Sequence, residues 1–277
     1  SLSAVLSVLY ALSLPNIYEA NAVLSPKTET QSSSLGGLAS SLGGLAGFGG
    51  FNIASGGGIT KEVLAIEKAK SFDFFKNYLY ASITPALVAL DHWDEVEKEE
   101  IFDVNLYDVA LKKWVVDGGL EDIPPISAQE AYRKFSSIFY IEQSGEDGLI
   151  RLSVEHQSPK IASDWLALVI ESINGATKRE DVEEAERAVR FLSESQKKSS
   201  LVAIDEVFGQ LIEEQTKIIM LANVSKEYVF NTIEPPYPPE ERKSPNRSMI
   251  CVLGVFLGFL FSIIVVLAQN YLLESKS

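Results

Sequence analysis

The sequence predicts an α+β fold: one folded domain with a long extended helix, flanked by two transmembrane helices. Three observations predict it. Residues 248–273 form an apolar run that no charge interrupts, residues 1–15 form a shorter one, and strand-like and helix-like apolar patterns take turns between them. At 277 residues the chain can build a domain with a substantial core. Its net charge of −14 argues against nucleic acid and against docking on an anionic lipid surface, because both reward basic patches. The single cysteine, Cys251, lies inside the long apolar run. An intrachain disulfide is therefore impossible, and Cys-based zinc sites are excluded.

The elements follow in order. "SLSAVLSVLYALSLP" is uncharged but too short to span a bilayer alone, and Pro15 ends it. It is expected to be the end of a first transmembrane helix, with a signal peptide as the competing reading. The domain then covers 16–234. "NIYEANAVL" alternates as a strand, with Tyr18, Ala20, Ala22 and Leu24 on one face. "SSLGGLA" occurs twice in succession and runs into "GFGGFNIASGGG". This stretch, 33–58, is too glycine-rich for a regular helix or strand, and it lacks the third glycine or the Gly-Lys-Ser/Thr that phosphate-binding loops need. An apolar loop packing on a neighbour or on the membrane surface is the better reading.

A helix is expected after Thr60 as N-cap, running until Pro85 stops it. "DHWDEVEKEEIFD" reads as a solvated loop, and "YDVALKKWVVDGG" as a short helical piece ending at Gly118 and Gly119. Ser127 and Glu130 form a capping-box pattern that opens another helix. "SIFYIEQ" and "LIRLSVEH" alternate around "SGEDG" as a hairpin, with Ile150, Leu152, Val154 and His156 on one face. Ser158-Pro159 starts a helix with Ile161, Trp165, Leu168, Val169 and Ile173 inward, expected to end near Gly175. From 178 to about 225 there is no proline and one glycine, Gly209, so the pattern predicts a single long helix of about 70 Å. Glu183 with Arg187 and Glu186 with Arg190 support it as i,i+4 pairs. Leu201, Ile204, Phe208, Leu211 and Ile218, widened by Val202, Val207, Ile212 and Ile219, give its second half a broad apolar face. "EYVFNTIE" alternates as a last strand, expected to pair with the first because both lead directly to membrane helices.

The C-terminal part is the most distinctive. A proline-rich collar, 235–247, carries Pro235, Pro236, Pro238 and Pro239, then Ser244-Pro245 and Arg247. Its prolines favour an extended, polyproline-like exit that can continue neither a strand nor a helix. The run 248–273 makes a helix of about 39 Å, enough to cross a hydrocarbon core of about 30 Å. Gly254-x-x-x-Gly258 lets a second helix approach closely. A short tail, 274–277, follows. Arg242, Lys243 and Arg247 are expected to meet lipid phosphates. By the positive-inside rule alone they would face the cytoplasm, although large domains cross membranes regardless of charge.

No catalytic pattern is present: no G-x-S-x-G elbow, no H-E-x-x-H and only two histidines, His92 and His156. A metal site at His92 with Asp91, Asp94 and Glu95 is weaker than a solvated acidic loop, since nothing supplies further ligands. No cofactor is expected, and the chain reads as a non-enzyme.

Taken together, the "YEA" strand, the Gly/Leu-rich loop, "TPAL", "YDVALKKWVVD", "SAQEAYRKF", "LIRLSVEHQSPKIASDWLALVIESIN", the charged helix reaching "LIEEQTKIIMLANVSKEYVFNTIE", and the collar with its span resemble one family. They are similar to the Wzz-type polysaccharide co-polymerases, the chain-length determinants of bacterial lipopolysaccharide O-antigen. The collar is the most specific part, through Pro236, Pro239, Ser244-Pro245 and Arg247, although Glu241, Arg242 and Lys243 stand where the fuller pattern has a further proline. The resemblance implies an inner-membrane protein with both termini cytoplasmic. It also implies a membrane-proximal periplasmic α/β base, a long helix above it and no kinase domain. The expected partners are identical subunits in a ring, an integral-membrane O-antigen polymerase, nascent polysaccharide and membrane lipids. Two other readings are an adaptor for capsule or exopolysaccharide export and a two-span periplasmic sensor. Genomic neighbours would separate the first, while only "ESKS" follows the second span to relay a signal.

Overall fold

The computed structural model describes residues 2–27, 60–198 and 202–274, with side chains for 7–27, 60–198 and 205–260. The repeat at 33–58 therefore lies outside the described residues. The base is an antiparallel sheet in the order β7-β8-β1-β9. Its central strands are β1 (Tyr18–Pro26) and β8 (Ile150–His156); the edges are β7 (Phe139–Gln143) and β9 (Phe230–Glu234). Alternation decides which face is covered. Tyr18, Ala20, Ala22 and Leu24 of β1 are buried together with Ile150, Leu152, Val154 and His156 of β8. The register sets Ala20 opposite Val154 and Ala22 opposite Leu152. The expected pairing of the last strand with the first is present, Phe230 opposite Pro26 and Thr232 opposite Leu24, with a bulge at Val23/Leu24.

Helices cover that face. α1 (Leu2–Ser13) precedes β1, and α2 (Lys61–Ala69) starts at Thr60, whose side chain accepts from Val63 N. After a second cap at Ser71, Phe72–Phe74 and a π-helical turn, Phe75–Leu79, lead into α3 (Tyr80–Ala89). α4 (Ala128–Ser136) is capped by Ser127, which accepts from Glu130 N as the motif predicts. α5 (Pro159–Lys198) lies across β1, where the small Ala20 and Ala22 allow a close approach. Trp165, Leu166, Val169 and Ile173 of α5 close the core with Phe75, Leu79, Ile83 and Phe135.

Four expectations are corrected. The helix after Thr60 does not stop at Pro85, which sits inside α3. Proline removes one hydrogen bond, to the carbonyl of the exposed Ala81, while Ile83 and Ala89 on the inner side stay buried. The acidic stretch is a hairpin rather than a loop, β2 (Leu90–Asp94) with β3 (Glu99–Phe102). Its turn is closed by Asp94 Oδ1, which accepts from Val96 N and Glu97 N at 2.8 and 3.1 Å. "YDVALKKWVVDGG" is a meander, β4 (Tyr107–Asp108), β5 (Lys113–Val116) and β6 (Gly119–Glu121). Positive φ at Lys112, Asp117 and Gly118 makes its two turns, and an Asp-Gly pair is a hairpin signal.

The fourth correction concerns the long helix. α5 does not end near Gly175, and no single helix covers 178–225. α5 continues to Lys198, and α6 (Val202–Val224) returns beside it. Lys178 Nζ reaches Ser225 O at 3.4 Å and Gln196 Nε2 reaches Asp205 O at 3.4 Å, contacts that require an antiparallel hairpin. Doubling back lets Val207, Phe208, Leu211, Ile212, Ile218 and Ile219 become half-buried, which a lone helix in water would leave wet. The predicted pairs Glu183–Arg187 and Glu186–Arg190 form on the outside of α5, each at 3.7 Å.

One buried side chain ties this hairpin to the sheet. Asn174 Oδ1 accepts from the backbone N–H of Tyr228, Val229 and Phe230 at 3.1, 2.8 and 3.0 Å. Its Nδ2 donates to Phe230 O at 3.3 Å. An amide inside a core is tolerated only when satisfied, and here it satisfies the entry to β9 in return. Beside it, Tyr228 donates to Asp181 at 2.7 Å, and Lys61 pairs with the same carboxylate. Burial and the Asp181 acceptor push the Tyr228 phenol up to about 12.

Candidate functional site at the helix–domain junction

The two ends of the base meet at one place. β1 is entered from α1, and β9 leaves through the collar into α7 (Arg247–Glu274). The collar runs on beside β1. β9 pairs with the far half of β1, and a bridge between Ile17 and Ser244 resumes the pairing at its start. There Ile17 N donates to Ser244 O and Lys243 N donates to Ile17 O, both at 2.8 Å. Between these points lie Pro235, Pro236, Pro238 and Pro239. Prolines have no N–H to give, so the ladder lapses and the chain bulges away from the sheet edge. Pro236 and Pro239 are half-buried, Pro235 and Pro238 exposed. Pro235 and Pro236 also border a cavity of about 610 Å³ with Ile170, Asn174 and Lys226.

Charged groups stitch this exit to the base. Lys243 Nζ donates to Glu19 at 2.6 Å and Glu155 at 2.8 Å, and lies 5.9 Å from the Tyr140 ring centre. Burial alone would lower the Lys243 pKa, but hydrogen bonds to Glu155 and Glu19 outweigh it and the net shift is upward. Lys243 is thus tied to two carboxylates of the base. Its neighbours differ. Arg242 Nη1 and Arg247 Nη2 both donate to Asn16 Oδ1, at 3.4 and 2.9 Å. Asn16 Nδ2 donates in turn to Glu95, which also accepts from Tyr18 Oη at 3.1 Å. Burial and the Glu95 contact hold the Tyr18 phenol above its usual range.

Beyond the collar, α1 and α7 pack side by side. Ser7 and Ala11 of α1 face α7, and Ile250, Cys251, Gly254 and Gly258 form a half-buried stripe on α7. Gly254 is the closest approach: a Cβ there would collide with Cβ and Oγ of Ser7. On the outer faces Leu9, Tyr10 and Leu12 of α1, and Met249, Val252, Phe256 and Phe259 of α7, are largely exposed. Among the described residues no helix is long and apolar enough to cross a membrane. In α7 the described side chains end at Leu260, while its helical backbone continues to Glu274.

This arrangement offers mechanical coupling rather than acid–base chemistry. α1 leads into β1 and β9 leads through the collar into α7, and β1 and β9 are neighbours in one sheet. Sequence reasoning singled out the prolines, Arg247, Gly254 and Gly258, and missed Asn16, Glu19, Glu95 and Glu155. No local signal marks these four, because their partners lie far away along the chain. His92 remains on the outer hairpin, 2.9 Å from Asp91.

No protein-family model matches the chain, and no curated protein does. Among solved structures it is similar to a full-length bacterial polysaccharide co-polymerase, at 12% identity and a TM-score of 0.38, over 98% of this chain and 94% of that one. It is also similar to a fragment of WzzB, a polysaccharide co-polymerase from Salmonella Typhimurium, at 13% identity and a TM-score of 0.33. That match covers 83% of this chain and 100% of the fragment. Overlaps this low carry no argument of their own about fold or function. Both of these structures are bacterial polysaccharide co-polymerases.

Proposed function

We propose that this chain is a non-catalytic, inner-membrane polysaccharide co-polymerase. It regulates the modal chain length of lipopolysaccharide O-antigen or a related surface polysaccharide. It acts as a ring of identical subunits together with the integral-membrane polymerase. One observation carries the reading: the first and last strands of the base are neighbours, and each leads into one of two paired helices with exposed apolar outer faces. An apolar face of this size on a helix pair suits lipid rather than water. α1 and α7 then cross the inner membrane, the base lies on its periplasmic side and both termini are cytoplasmic.

In this reading the α5–α6 hairpin, roughly 60 Å along α5, stands up from the membrane as the wall of the ring. The collar fixes the angle between wall and membrane helices, and α7 presents a face to the polymerase. Nascent polysaccharide grows beside the wall, and no step of its chemistry falls to this chain. The test is deletion of the gene followed by gel electrophoresis of the lipopolysaccharide. Loss of the preferred band cluster is expected, and an unchanged band distribution overturns the proposal.

A further inference from the structure

Three basic residues stand close together at the junction, and the structure separates them into two kinds. Lys243 is neutralised by Glu19 and Glu155. Arg242 and Arg247 are not. Among the described residues neither guanidinium has a carboxylate within ion-pair distance, and both share one neutral acceptor, Asn16 Oδ1. Two like charges on a single amide oxygen repel each other, and its two lone pairs take one N–H from each guanidinium, leaving the other donors of both to find acceptors elsewhere. Arg247 Nε is moreover buried without a partner. The other charged or titratable groups facing the pair are Glu95 and Tyr18, behind Asn16, and Glu240 and Glu241, exposed in the chain just before Arg242. The donors left over suit an acceptor with several oxygens and a negative charge. Guanidinium forks match phosphate in this way.

The surroundings narrow the class of ligand. Arg247 is the first residue of α7, and exposed apolar side chains begin at Met249 within the next turn. Across from it, α1 exposes Leu9, Tyr10 and Leu12. A phosphate held here therefore sits at the edge of an apolar surface, where a free anion gains nothing from its neighbours and an amphiphile gains burial of its tail. We infer that Arg242 and Arg247, set side by side by Asn16, form a clamp for the phosphate of an anionic phospholipid headgroup. The inference rests on the reading of α1 and α7 as membrane helices. It does not conflict with the net charge of −14, because the attraction acts within about a Debye length of ~8 Å rather than through the field of the whole domain. The clamp ties the collar to the bilayer surface, while Lys243 ties it to the base.

The full chain, purified in detergent, can be examined by native mass spectrometry after incubation with phosphatidylglycerol, phosphatidylcholine or inorganic phosphate. A preference of roughly tenfold for phosphatidylglycerol over phosphatidylcholine is expected, in line with the contribution of basic residues at anionic surfaces. Arg242→Gln with Arg247→Gln should abolish the preference, while Lys243→Gln should keep it. Arg242→Lys with Arg247→Lys should retain only part, since charge remains but the fork is lost. Melting curves of every variant show whether the base is folded, and the single Arg247→Gln variant serves if the double one is not. An undiminished preference in the folded arginine variants overturns the clamp. Displacement of phosphatidylglycerol by millimolar inorganic phosphate overturns it too, by making the pair a free-anion site. Neither outcome bears on lipopolysaccharide banding, which tests the function separately.

Discussion

The base and the junction are held together by different physics. In the base, Leu24, Ile150, Leu152, Val154, Leu166 and Val169 are almost wholly buried, and the core amide Asn174 has both ends of its side chain satisfied. At the junction the contacts include three backbone hydrogen bonds at Ile17, partly exposed charged side chains and a glycine against a serine. Burial on the scale of the base gives a cooperative unit with little freedom. Exposed ion pairs contribute about 0–1 kcal/mol each, so the junction can be retuned without unfolding what it is attached to. A rigid base on an adjustable junction is what the proposed role calls for.

The comparison is broken most severely at Asn174. Asn174→Leu leaves three backbone N–H groups near β9 without an acceptor, at about 1–3 kcal/mol each for an unsatisfied buried group. A loss of several kcal/mol is expected in denaturant unfolding of the purified chain, with β9 and the collar released first in hydrogen exchange. A midpoint within about 1 kcal/mol of wild type would show that the base does not depend on this side chain.

A second, smaller effect separates the regions by pH. His156 is buried against Trp165, with ring centres 4.7 Å apart, and its Nδ1 accepts from Ser158 N at 3.1 Å. Burial lowers its pKa to about 4, although a hydrogen bond with the Ala86 backbone acts the other way. The unfolded chain, with an ordinary value near 6.5, therefore binds the proton first as pH falls. The stability in question is complete above about 6.5 and is lost progressively toward pH 4, by about 3 kcal/mol. His156→Gln should flatten this part of the pH dependence of unfolding. An unchanged slope between those limits would assign it to other groups.

The third test acts on the junction alone. Gly254→Leu forces α1 and α7 apart, an overpacking worth about 1–3 kcal/mol within the helix pair, and should leave unfolding of the base unchanged. Lipopolysaccharide banding should shift all the same, and replacing Pro239 and Pro245 together should act in the same direction. Wild-type banding in a folded Gly254→Leu protein would reduce the collar to a passive tether.

How much of this was legible in the sequence depended on the range of the interaction. Period-two alternation placed Tyr18, Ala20, Ala22 and Leu24 on one face of β1, and the Ser127 cap opened α4 where its hydroxyl meets Glu130 N. The meander was misread because helix-like spacing in "YDVALKKWVV" competes with turns that depend on φ at Lys112 and Asp117. Pro85 misled in the other direction, since the packing of Ile83 and Ala89 outweighs one lost hydrogen bond. The hairpin of α5 and α6 was invisible because no proline and only one glycine, Gly209, falls between 178 and 225.

The sequence by itself determined the four strands of the base, the capped starts of the helices at Thr60 and Ser127, the buried face of the sheet and the proline collar before a long apolar run. These follow from periodicity, caps and missing N–H groups, which act over a few residues. Only the tertiary structure decided that the long helix folds back on itself and that Asn174 serves β9. It alone decided that Lys243 belongs to the base while Arg242 and Arg247 share Asn16. Those outcomes depend on partners that lie tens to hundreds of residues apart, and only the closing of the core brings them within hydrogen-bonding distance.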